Sequence, residues 1–383
     1  MRTPPPAPAR KKWRKRLAVA AALAAAAVLA GMLPAAASNG TIWTTLPNMP
    51  TARNSPASAA APCPPGQTGT CVYTVGGYDG TSDVGIVESY NRLTNAWSTL
   101  PPLPSRRSGV AAAAAPCPSG QTGTCIYAVG GAVRIGPDYQ YLRVVESYNP
   151  VTNAWSTVAP LTTNRGSPGV ATAPCPVGQT GTCVYAIGGY GPGGLASAES
   201  YNPANNSWST IRPMNVPRHS LGAAAAACPP GQTGTCIYAV GGMVGFTNAI
   251  TGAVESYNPA TNAWSPVASI PTARASSGVT ATACPPGQSG TCVYVVGGGT
   301  PEIVGNVDSY NPATNAWTAL PSLPRPRHRL AAAATTCPPG MIGSCVYASG
   351  GSLTSSDATA TFEALDPPDA VRAAEPAEQP QED

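Results

Sequence analysis

The chain runs to 383 residues, rich in Pro (44) and Gly (41), only 10% charged, with two histidines and two phenylalanines. Its formal net charge of +4 is local: residues 2–16 carry seven Lys and Arg and no acid, while residues 17–383 hold 14 basic residues against 17 acidic ones. That balance excludes the positive footprint that nucleic acids require, and the lack of any lysine after Lys15 excludes lysine Schiff-base chemistry in the body of the chain.

From the N-terminus, the basic stretch leads into an apolar, alanine-rich segment, residues 17–37, that ends in Ala35-Ala36-Ala37. Residues 1–37 read either as a secretory signal peptide, cleaved to leave Ser38, or as an uncleaved N-terminal membrane anchor, because about twenty apolar residues span a bilayer. Both readings export the remainder of the chain, so the expected localisation is secreted or extracellular, with membrane contact only through an uncleaved leader. Residues 367–383, acidic and rich in Pro, Ala and Glu, read as a disordered tail.

Between them, residues 38–366 repeat one unit. Its marker is an arginine, at Arg53, Arg107, Arg165, Arg218, Arg274 and Arg327, so the period is 53 to 58 residues. A tryptophan precedes each arginine by ten positions (Trp43, Trp97, Trp155, Trp208, Trp264, Trp317). After the arginine come a run of small residues, a Cys-x7-Cys pair starting ten positions on, and a Tyr-x-x-Gly-Gly. An acid then stands nine positions before the next tryptophan, at Glu88, Glu146, Glu199, Glu255 and Asp308, with Glu363 in the last copy. All length variation lies between the second glycine and the acid.

A period near fifty residues built of short strands is the signature of a propeller. The pattern, with a strand ending in Gly-Gly, Glu-Ser-Tyr-Asn-Pro-x-x-Asn-x-Trp and a proline-rich turn before an arginine, resembles the kelch-repeat family over about residues 41–366. The resemblance implies an all-β, six-bladed β-propeller of four-stranded antiparallel blades around a central channel. In the usual order the small-residue run is inner strand A, Tyr-x-x-Gly-Gly is B, Glu-Ser-Tyr is C and the tryptophan strand is outer strand D. A tryptophan strand precedes the first A strand and none follows the last C strand, so the N-terminal strand is expected to close the ring as D of the last blade. Otherwise both ends would expose an unpaired edge.

Runs such as Ala111–Ala115 are strong helix formers by intrinsic propensity, yet five to seven small residues bounded by Gly, Pro and Cys are too few for a stable helix. Beside a crowded axis alanine is a steric choice. The twelve cysteines form six equivalent pairs: Cys63 with Cys71, Cys117 with Cys125, Cys175 with Cys183, Cys228 with Cys236, Cys284 with Cys292, and Cys337 with Cys345. Each pair brackets a Gly/Pro turn between strands A and B. Even numbers in an exported chain read as disulfides, and each bond closing about nine residues contributes on the order of 2.5 kcal/mol on a chain-entropy account. Zinc, the competing reading, prefers shorter Cys-x2–4-Cys spacings. No metal or cofactor is expected.

One arginine and one acid per repeat, in equivalent places, read as structural ion pairs and not as a catalytic set. The tryptophans and most tyrosines are likewise repeat positions. Five aromatics are not: Tyr78, Tyr139, Tyr141, Tyr190 and Phe246, all in the variable B–C segments. With Arg134, Asp138, Arg143 and Glu302 in the same segments, they make a candidate recognition rim, since exposed aromatics and arginine are the material of binding hot spots. Kelch-like propellers include copper-radical oxidases resembling galactose oxidase and sialic-acid mutarotases. The first needs histidine and tyrosine ligands and a tyrosine joined to a cysteine, and here every cysteine has a repeat partner. A mutarotase needs only a placed acid or base, for which Asp138 or Glu302 is available. His219 and His328 occupy the slot of Ser108 in other copies and read as positional variants. The function expected is non-catalytic binding of an extracellular protein or glycan through the B–C rim, with a sugar epimerase or mutarotase as the alternative.

Overall fold

The computed structural model describes Met1 and residues 42–191, 193–337 and 343–366; the expected leader and acidic tail lie outside the described residues. The described residues from 42 to 366 form one compact unit. Within it stand six four-stranded antiparallel sheets, each in the order A-B-C-D. Blade 1 consists of Ala57–Pro62, Thr70–Val75, Val87–Asn91 and Ala96–Leu100. The A strands of blades 2 to 5 begin at Ala111, Gly169, Gly222 and Gly278. Blade 6 joins Ala331–Thr336, Ser344–Ser349 and Phe362–Asp366 to the N-terminal strand Ile42–Thr45, which pairs Trp43 with Leu365 and Thr45 with Glu363. The ring is therefore closed by strands from opposite ends of the chain.

The alanine runs are β-strands, and the reason is contact between neighbouring blades at the axis. A Cβ on Gly169 would lie 3.0 Å from the Ala223 Cβ, and one on Gly222 would overlap a Val279 methyl. Strand B is buried along its length, and its tyrosine hydroxyl donates to the carbonyl ending strand A, as from Tyr127 to Pro116 at 2.6 Å. That tyrosine also packs on the strand C tyrosine of the next blade, as Tyr127 does on Tyr201 with ring centroids 5.5 Å apart. In the last copy Leu365 takes the strand C tyrosine position against Tyr294 of blade 5, while Phe362, at the valine position, meets Tyr90 and Trp97 of blade 1 edge-on at 4.8 Å.

Each repeat arginine is fully buried and paired with the acid of its own blade at 2.6–2.9 Å, from Arg53–Glu88 round to Arg327–Glu363. Burial pushes the guanidinium pKa down and the neighbouring carboxylate holds it up. The arginines also bind carbonyls at the end of strand B: Arg107 Nε donates to Gly130 O at 2.7 Å. Gly130 itself must be glycine, with φ of +60° and the Arg165 carbonyl 2.5 Å from where a Cβ would sit.

The cysteines pair as the spacing predicts. Disulfides join Cys63 to Cys71, Cys117 to Cys125, Cys175 to Cys183, Cys228 to Cys236, Cys284 to Cys292, and Cys337 to Cys345. Each links the end of strand A to the start of B, with Cα atoms 4.7–5.3 Å apart, a separation the antiparallel register supplies without distortion.

Two closed circuits of hydrogen bonds tie the blades together, one around the channel and one on the outside. On the outside every repeat tryptophan donates its indole N–H to a carbonyl of the preceding blade's outer connection, from Trp97 to Pro47 at 2.9 Å through to Trp43 to Pro321 at 2.8 Å.

Candidate functional site

Antiparallel order places the start of A, the end of B and the start of C at one end of every blade. The B–C segments and the connections into strand A thus share one face, and the disulfide hairpins and C–D turns lie on the other. On the B–C face a cavity of about 770 Å³ opens over the channel.

Its throat is a ring of six equivalent residues, two positions after each repeat arginine: Ser55, Gly109, Ser167, Ser220, Ser276 and Arg329. All six have φ between +45° and +56°. In that conformation each donates its backbone N–H to the carbonyl of its counterpart in the preceding blade, at 2.7–3.2 Å, and Ser55 donates to Arg329, so the circuit has no gap. The strained backbone is the cost of this interlock; sparsely populated φ/ψ regions of this kind persist only where surrounding structure enforces them.

Above the throat the B–C segments build one aromatic wall. In blade 2 the segment folds into an extra hairpin, Ala132–Ile135 with Asp138–Tyr141, which the sequence pattern did not reveal. Arg134 lies between two rings, 5.4 Å from the Tyr78 centroid and 5.2 Å from that of Tyr139, and donates to the Tyr139 hydroxyl at 2.6 Å. Its backbone N–H donates to the buried Asp83 at 2.6 Å, fixing the hairpin to blade 1. Beside this, three rings from successive blades stack: Tyr141 on Tyr190 at 5.6 Å and 6°, and Tyr190 on His219 at 3.7 Å and 24°. Tyr141 fits because the residue beneath it is Gly166, where a Cβ would stand 2.8 Å from the Tyr141 ring.

Burial, with Tyr190 and Tyr139 adding, raises the pKa of the Tyr141 phenol, so it presents a neutral hydroxyl. Burial lowers the pKa of His219, which is 1% exposed and held by Asn248 Oδ1 at 3.0 Å. His328 lines the cavity and is shifted down by burial and by the charge of Arg329.

Of the residues singled out from sequence, Tyr78, Arg134, Tyr139, Tyr141 and Tyr190 line the cavity together. Asp138 and Arg143 are exposed at the blade 2 segment and Glu302 is exposed at the tip of blade 5; none of the three lines it. Phe246 sits in a short 3-10 turn, Gly245–Thr247, with its side chain outside the described ones. Sequence reading missed His219, Gly166 and the throat ring. The signal available was internal: comparing the two residues after each arginine across six copies exposes both the histidines and the single Arg329.

A Kelch motif family model matches residues 59–104, 113–162, 171–215, 225–271 and 282–324, the five blades that are continuous in sequence. The chain belongs to the kelch-repeat family. Among individual proteins, it is 27% identical to Kelch-like protein 25 of Xenopus tropicalis over 266 residues, covering 67% of this chain and 40% of that protein. To human Kelch-like protein 23 it is 30% identical over 210 residues, 55% of this chain and 33% of that protein. The chain thus spans two fifths or less of the length of these curated relatives. A solved structure, "Structure of YjhT", superposes with a TM-score of 0.60 at 15% identity, covering 84% of this chain and 97% of that one, which is a likeness of fold.

Proposed function

We propose that this chain is an exported, non-catalytic kelch propeller that binds an extracellular glycan or protein segment in the cavity over its channel. The observation that carries the reading is convergence: five residues chosen only because the repeat does not need them line one cavity. Its size lies in the range of small-ligand sites. Binding is favoured over turnover because no Asp or Glu is among the described residues that line it, and the two acids available for acid–base work, Asp138 and Glu302, stand outside. Export is supported by the leader of residues 1–37 and by disulfides in all six blades, which persist in oxidising compartments.

The test is a glycan array and a panel of extracellular peptides probed with the oxidised full chain, beside Tyr190→Ala. Removing Tyr190 takes away the middle ring of the three-ring stack. Binding weakened about tenfold or more is the expected outcome, since aromatic anchors in such sites contribute upward of about 1–2 kcal/mol. Undiminished binding by the variant would move the site off this face.

A further inference from the structure

The throat is the place where the chain departs from its own repeat. Five of the six equivalent positions carry Ser or Gly, and blade 6 carries Arg329 in the same positive-φ geometry, with φ of +52°. A long side chain gains nothing from that conformation, which suits glycine best. The Arg329 side chain is exposed, forms no salt bridge among the described residues, and uses one donor, to Ser355 O at 3.1 Å. The remaining N–H groups of its guanidinium have no protein partner among the described residues. The other cation of the cavity, Arg134, is already held by Tyr139 and flanked by two rings.

Ring position adds direction. Tyr190 belongs to blade 3 and Arg329 to the entry of blade 6, so in a six-bladed ring they face each other across the channel. Between them lie the serines of the throat, Ser55, Ser167, Ser220 and Ser276. The site therefore offers one guanidinium, Arg329, with most of its N–H groups free of the described residues, a second, Arg134, flanked by two rings, several hydroxyls and an aromatic wall opposite. A ligand that matches has one carboxylate, many hydroxyls and an apolar C–H face on each unit. An acidic peptide brings several charges and few hydroxyls, and would meet one available guanidinium.

Building on the cavity as the binding site, we propose that its ligand is an acidic polysaccharide segment, with Arg329 holding the carboxylate of a hexuronate unit at the throat while the sugar ring lies toward Tyr190 and Tyr141. Arginine is suited to this role because its planar fork pairs a carboxylate with two parallel hydrogen bonds.

The experiment is titration of the oxidised full chain with oligogalacturonate and with its methyl ester, which keeps the sugar and removes the charge. Arg329→Ser places the throat's own residue at that position, so the hydrogen-bonded circuit is retained. The expected result is that the acid binds about tenfold or more tighter than the ester, that Arg329→Ser erases this preference, and that Tyr190→Ala weakens acid and ester alike. Equal binding of acid and ester, a preference that survives Arg329→Ser, or no binding of oligogalacturonate overturns the proposal. Arg329-dependent binding of a glutamate-rich peptide in place of the sugar overturns the sugar class while leaving the cavity as the site. Acid binding unaffected by Tyr190→Ala removes the cavity reading itself.

Discussion

The six buried ion pairs look alike but are not equally supported, and this makes their removal quantitatively different. In blade 3 the Glu199 carboxylate accepts from Arg165 at 2.6 Å and also from Thr162 N at 2.7 Å, Thr162 Oγ1 at 2.6 Å and Thr163 N at 3.3 Å. In blade 5 the shorter Asp308 accepts from Arg274 alone among the described groups, at 2.7 Å. Each arginine also binds two backbone carbonyls, Gly188 and Ser197 in one case, Thr272 and Val295 in the other. Arg165→Leu and Arg274→Leu therefore leave comparable backbone losses and differ in the stranded acid. Breaking a buried pair by removing one partner costs about 3–5 kcal/mol. Glu199 keeps three donors, so Arg165→Leu belongs near 3 kcal/mol, whereas Arg274→Leu, leaving a buried carboxylate without a described donor, belongs near 5 kcal/mol. The difference of about 2 kcal/mol is roughly a thirtyfold change in the unfolding equilibrium. Urea unfolding at pH 7, followed by tryptophan fluorescence with the disulfides intact, reads it directly. Equal losses in the two variants, or losses below about 1 kcal/mol, would refute the view that these pairs are desolvated and individually supported.

Deleting residues 42–50 removes the closing strand, the Trp43 indole bond to Pro321 and the buried Met49. The unfolding midpoint should fall by about 10 °C or more, and an unchanged midpoint in a thermal scan would contradict ring closure by that strand. Stability should also depend on pH through the two histidines. Burial depresses their folded pKa below 6.5, so the unfolded chain binds protons the folded one refuses. The contribution is intact above pH 6.5 and is lost as pH falls through the lowered folded pKa values, toward the range where free carboxylates titrate. A double variant, His219→Gln with His328→Gln, should show a flatter stability profile across that window, and an identical slope would count against burial as the cause.

Much of the fold was legible because each decisive contact is made six times. A buried arginine, the strand B tyrosine and the cysteine pair recur at fixed spacing, and the acid recurs at a fixed distance from the next tryptophan, since each blade solves the same packing problem with the same residues. Even the alanine run, a helix former by propensity, could be read as strand because only small side chains fit beside the axis. The rim was legible by subtraction: Tyr78, Tyr139, Tyr141 and Tyr190 are four of the five aromatics that no blade requires. What local sequence did not hold is which of them meet. His219 lies 29 residues from Tyr190, and Gly166 lies 25 from Tyr141; each pair is joined only because one blade's variable segment leans over the next blade's entry. The six throat residues find one another only when the ring closes, and the closing strand comes from the opposite end of the chain. Repeat spacing determined the blade, because its contacts lie within one period. The tertiary ring decided the site, because apart from the blade 2 hairpin with its Arg134–Tyr139 pair the contacts that shape it cross from one blade to another.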